Sequence, residues 1–97
     1  MATYVVLANF TEQGVRQAKD SPKRADAFKE TAKKHGATVK ELYWTQGLYD
    51  ITAIVEAPDD MTVTSLSLGL GMLGNVRTQT MRAFSAAEMK TILGKLA

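Results

Sequence analysis

The 97 residues carry 12 Lys and Arg against 10 Asp and Glu, are 45% hydrophobic and 23% charged, and include no cysteine. That length is read as one domain spanning residues 1–97, and a net charge of +2 is too small to argue for a nucleic-acid partner. The missing cysteine excludes disulfides, thiolate chemistry and Cys-based zinc, and a single histidine, His35, cannot build a multi-His metal site within one chain.

The N-terminus enters a β-like run directly, with no basic segment and no cleavage pattern of a signal peptide. The longest uncharged run, Met61–Val76, is rich in Thr, Ser and Gly and falls short of the roughly 20 apolar residues that span a bilayer. A cytoplasmic location, with no membrane partner, is the expectation.

Thr3–Asn9 is predicted as a strand from its β-branched content. Its continuous apolar character predicts burial on both faces and a central place in a sheet. Thr11 is placed to cap a short helical turn running to Lys19, which Gly14 weakens by about 1 kcal/mol against Ala. Ser21 then reads as the N-cap of the first full helix, with Pro22 at its first position. Ala25, Phe28 and Ala32 form a narrow apolar stripe, and Gly36 ends the helix.

Glu41–Val55 holds the only Trp and two of the three Tyr. It is predicted as a hairpin, Val39–Thr45 and Leu48–Glu56, turning at Gln46-Gly47, where Gly47 tolerates positive φ. Asp59 is placed to cap a helix from Asp60 to about Leu73. Its propensity is poor, with early Thr and Val and then Gly69 and Gly71. Packing must hold it, and the glycines would allow a close backbone approach. Val76–Phe84 alternates as a fourth strand. Ser85 and Glu88 spell a capping box for a last helix, Ala86–Leu96, with Phe84 and Met89 as its hydrophobic staple.

The order β-α-β-β-α-β-α gives an α+β fold. Its first six elements make the ferredoxin-like βαββαβ pattern, a four-stranded antiparallel sheet of order 4-1-3-2 with two helices on one face and an extra C-terminal helix. Strand parity puts Tyr49, Ile51, Ala53 and Val55 on one face, against Leu48, Asp50, Thr52 and Ile54 on the other. Arg77, Gln79, Met81 and Ala83 likewise oppose Val76, Thr78, Thr80, Arg82 and Phe84. Neither face is purely polar while helices cover only one. A homodimer packed sheet to sheet, a dimeric α+β barrel, is therefore expected.

In this strand order one end of the sheet gathers Asn9, Tyr49, Asp50 and Arg77, with Tyr43 and Trp44 arriving through the hairpin. Aromatic walls with a few convergent polar groups are the usual make-up of a small-molecule pocket. Each residue also has a plainer reading: Asp50 bonding turn N–H groups or pairing with Arg77 or Arg82, Tyr49 and Trp44 in packing, His35 against the end of its helix dipole. Lys23, Arg24, Lys29, Lys33, Lys34 and Lys40 are interleaved with acids and read as a solvated face. No phosphate loop, Ser-His-Asp supply or pocket carboxylate pair is present, and no cofactor is expected.

Leu42-Tyr43-Trp44-Thr45, Gly47-Leu48-Tyr49-Asp50, Val55-Glu56-Ala57-Pro58-Asp59-Asp60 and Leu73-Gly74-Asn75-Val76-Arg77-Thr78-Gln79-Thr80 together resemble the GYD-domain family, a largely uncharacterised bacterial group. The resemblance extends over nearly the whole chain, including Tyr4-Val5, Phe10-Thr11 and Ser21-Pro22. It implies a dimeric α+β-barrel, ferredoxin-like fold and no established activity. Three readings follow. One is a homo-oligomeric module binding a small organic ligand at the Asn9/Tyr49/Asp50/Arg77 end. Another is a cofactor-independent enzyme of monooxygenase or isomerase type, with Asp50 or Tyr49 handling a proton. The last is a structural or regulatory assembly unit.

Overall fold

A computed structural model describes residues 1–96. Strand β1 (Ala2–Phe10) leads through a short helix α1 (Glu12–Arg16) and a 3-10 turn (Ala18–Asp20) into α2 (Ser21–Lys34). Then follow β2 (Thr38–Trp44), β3 (Ile51–Ala57), α3 (Asp60–Met72), β4 (Val76–Ala83) and α4 (Ala86–Leu93). The strands form one antiparallel sheet of order β2-β3-β1-β4, the predicted 4-1-3-2 read from the other edge.

The helix boundaries follow side-chain chemistry, with two corrections. Thr11 accepts the Gly14 N–H, Asp59 accepts the Thr62 N–H, and Ser85 and Glu88 close the capping box in both directions. Ser21, however, is not a cap. The 3-10 turn runs straight into α2, and Ala18 supplies the carbonyl that takes the Ser21 N–H. The Ser21 hydroxyl is instead buried and accepts the Trp44 Nε1–H at 2.9 Å. The last helix stops at Leu93 rather than Leu96.

Tyr4, Val6 and Ala8 from β1 and Ala53, Val55 and Ala57 from β3 alternate into a core closed by Ala32 of α2 and by Val63 and Leu66 of α3. Burial of Val63 and Leu66 accounts for α3. Each buried aliphatic side chain contributes about 1.5–3 kcal/mol, against about 1 kcal/mol lost at each helical glycine. The glycines do not serve a close approach here, since a Cβ at Gly69 or Gly71 would meet nothing within 4 Å. The close approach is at Gly14, where a Cβ would stand 1.9 Å from the Asn75 carbonyl oxygen. That contact clasps α1 to the α3–β4 connection. Thr11 N–H bonds Asn75 O at 3.1 Å, and the Thr11 hydroxyl bonds Gly74 O at 2.6 Å.

The expectation that β1 is buried on both faces is met on one. Val5, Leu7 and Ile54 point away from the helices and are only half-buried, and Met81 beside them is 41% exposed. Among the described residues nothing covers this face. Helix α4 also stands clear, with Met89, Leu93 and Leu96 at 44%, 50% and 71% exposure. Phe84, expected to staple α4 through Met89, is half-exposed and lies 4.5 Å (ring centroid) from the Arg82 guanidinium.

Candidate functional site

At the β1 terminus the register sets Asn9 directly opposite Arg77. The β2–β3 connection arrives at the same end, but it is longer than predicted. Strand β3 begins at Ile51, so Thr45–Asp50 forms a six-residue loop turning at Gly47, φ +102°. The loop is held by Thr45 N–H to Asp50 O and by the Thr45 hydroxyl to Tyr49 O, while Asp50 N–H reaches Ala8 O.

Leaving the ladder frees Tyr49 from strand parity. Parity assigns it to the face of Ile51 and Ala53, yet its hydroxyl donates to Gln79 Oε1 at 2.8 Å, on the uncovered face. Asp50 accepts the Phe10 backbone N–H at 2.9 Å. It makes no ion pair with Arg77 or Arg82 among the described residues. Arg82 instead serves Glu88 and Thr3 O. Tyr43 shares the uncovered face with Thr52. Its hydroxyl donates to Glu41 Oε2 at 2.9 Å, which holds its proton more tightly than an ordinary phenol.

Trp44 departs from this group. It opposes Ile51 on the helix-covered face, where it meets Ser21. The structure therefore brings Asn9, Tyr43, Tyr49, Asp50 and Arg77 to one end of the open face and places Trp44 behind the sheet. Gln79 belongs with the group and is missed by sequence reasoning. Its position two residues after Arg77, on one face of an alternating strand, was the available signal.

A second feature lies on the helix side. A cavity of about 440 Å³ opens between α2, α3 and the sheet, floored by Ala8 and Ala53 and walled by Phe28 and Leu70. His35, remote from the sheet-end group, lines it, with Nδ1 2.8 Å from Thr31 O. Among the described residues no cluster of three His, Asp or Glu could hold a metal ion, and no helix is long and apolar enough to cross a membrane.

The family model for the GYD domain matches residues 4–93, from within β1 to the end of α4. The chain belongs to the GYD-domain family. A protein of Thermus thermophilus, named as a glutamine synthetase and cystathionine beta-lyase binding protein, is 32% identical over 90 residues, 92% of this chain and 95% of its own length. The crystal structure of TTHA0845 from Thermus thermophilus is similar at a TM-score of 0.57 and 28% identity, covering 89% of this chain and 96% of that one. FFRP-DM1 is similar at a TM-score of 0.61 and 22% identity, covering 87% of this chain and all 100% of its own, a likeness of fold alone. Among these GYD residues, Gly47 and Asp50 do backbone work: one turns the loop and the other ties it to β1.

Proposed function

We propose that this GYD-domain protein is a homo-oligomeric binding module that pairs through the uncovered face of its sheet and docks onto metabolic enzymes. The observation that carries the reading is the uncovered face itself. Val5, Leu7, Ile54 and Met81 form a continuous apolar centre across β3, β1 and β4, with polar residues at its ends. An apolar centre with a polar rim is the anatomy of a protein interface, and a second copy offers a self-complementary surface under twofold symmetry. Binding of other enzymes rests on the name of the Thermus relative.

Pairing would enclose the Asn9, Tyr43, Tyr49, Asp50, Arg77 and Gln79 end between two sheets. There the Arg77 guanidinium, with no carboxylate partner among the described residues, holds an anionic or carbonyl group of a small organic ligand. Asn9 supplies a donor and an acceptor beside it, and the two phenols supply walls.

Light scattering on the purified chain tests the pairing. The expected mass is a multiple of 10.6 kDa, and Met81→Arg, an exposed and therefore tolerated position, lowers it to 10.6 kDa. A wild-type mass of 10.6 kDa overturns the reading. Co-purification of the host's glutamine synthetase or cystathionine β-lyase with wild type, lost in Met81→Arg, would support enzyme docking through the assembled form.

A further inference from the structure

Small side chains create the cavity on the helix side. Ala8 and Ala53 sit on adjacent central strands where larger residues would fill the space, and Gly69 on α3 leaves its wall bare. The cleft is open to solvent at Thr31, His35 and Gly69, and its apolar lining there lacks the contacts that a packed interior would supply. At about 440 Å³ it falls within the roughly 300–1,000 Å³ of small-molecule sites.

One edge of this apolar space is polar and positive. Arg24 lines the cavity and is held there by two backbone carbonyls, Gln17 O at 3.0 Å and Gly14 O at 3.3 Å. No carboxylate neutralises it among the described residues. Asp20 is absent from this lining and borders a neighbouring depression that Arg24 also lines. Ser21, buried and also in the lining, spends an acceptor lone pair on the Trp44 indole and retains its own O–H to donate. Both groups sit in the first turn of α2, whose N-cap residue, Asp20, makes no side-chain capping bond to it.

We propose that this cavity is a binding site for a small monocarboxylate with an apolar tail, its carboxylate on Arg24 and Ser21 and its tail between Phe28 and Leu70. Guanidinium and hydroxyl donors match a carboxylate, and the alanine, leucine and phenylalanine part of the lining matches a hydrocarbon or aryl chain, with Thr31, His35, Ser65 and Asn75 completing the lining.

Decanoate is a suitable probe, and Trp44, the only tryptophan, reports on the site through its bond to Ser21. Decanoate, kept below its micellar range, is expected to change Trp44 emission saturably, with calorimetry giving one site per chain. Decanol, with the same tail and no charge, is expected to bind at least about tenfold more weakly. Arg24→Gln should weaken decanoate by a similar factor and leave decanol unchanged. Gly69→Leu, whose side chain enters open space, should abolish binding of both while the thermal midpoint of unfolding is held or raised. Absence of saturable decanoate binding overturns the site, including the case of a partner copy's α4 already filling it. Equal affinity for decanol and decanoate overturns the role of Arg24 and Ser21. Undiminished binding in a folded Gly69→Leu protein overturns the location.

Discussion

The Asp50 carboxylate accepts the backbone N–H of Phe10 at 2.9 Å, across a sequence separation of 40 residues. The last residue of the hairpin loop thus caps the end of the central strand. A carboxylate in a prospective binding corner first has this structural task, and only its remaining lone pairs are free for a ligand.

Substitution at Asp50 separates the two roles. Asp50→Asn keeps an acceptor and should cost less than about 1 kcal/mol, whereas Asp50→Ala orphans the Phe10 N–H and should cost about 1–3 kcal/mol. Urea unfolding measures both. Equal, negligible costs would contradict the capping role.

The glycines of α1 and α3 should respond with opposite sign. Gly14→Ala drives a Cβ into the Asn75 carbonyl and forces α1 from the α3–β4 connection, at a cost of more than about 2 kcal/mol. Gly71→Ala, exposed and unobstructed inside α3, should stabilise by about 0.5–1 kcal/mol. Thermal melts of the two variants decide, and a stable Gly14→Ala would refute the close contact.

The alkaline limit of stability should involve Tyr4. Its buried hydroxyl donates to Asp60 Oδ1 at 2.5 Å, and that bond, with burial and the Asp60 charge, raises its pKa above the ordinary 10.0. The neutral phenol is the form the fold favours. Its contribution is complete below the unfolded pKa and is lost as pH rises through the folded one. Stability should therefore fall above about pH 10 in wild type, and fall less steeply in Tyr4→Phe. Parallel pH profiles for the two proteins would exclude Tyr4 as the cause.

At the acid end, α4 should fray first. The backbone bond from Ser85, aided by Arg82, lowers the Glu88 pKa below its ordinary 4.5. A lowered carboxylate stabilises above its unfolded pKa and ceases to as pH falls through its folded one. Amide exchange in Ala86–Leu93 should accelerate below about pH 4.5, with Ser85→Ala showing that behaviour already at neutral pH. Pre-acid exchange rates identical in the two proteins would contradict the capping box as the lock.

Much of the fold was legible because its signals are local. Asp59 and Ser85 cap through the next turn of chain, and Gly47 answers to a turn, so residue type and spacing suffice. The site was less legible because it depends on register. One misjudged strand start, Leu48 instead of Ile51, reversed the face assigned to Tyr49. Trp44 followed the ladder to the helix side, away from Tyr43 beside it. Gly14 read as a weak point of a short helix, since its contact with Asn75, far along the chain, leaves no local trace.

Element order, the helix caps at Thr11, Asp59 and Ser85, antiparallel strand order and family membership were present in the chain before any coordinate, because they follow from periodicity, side-chain chemistry and the handedness of crossovers, whereas the cap expected at Ser21 was not borne out. It took the packed molecule to show that Asp50 bonds a strand end rather than an arginine, and that Tyr49 reaches Gln79. The same holds for Ala8, Ala53 and Gly69, which converge on an empty volume under Arg24. Cavities and long-range hydrogen bonds depend on how residues remote in sequence meet at ångström scale, and alternation and propensity carry no such information.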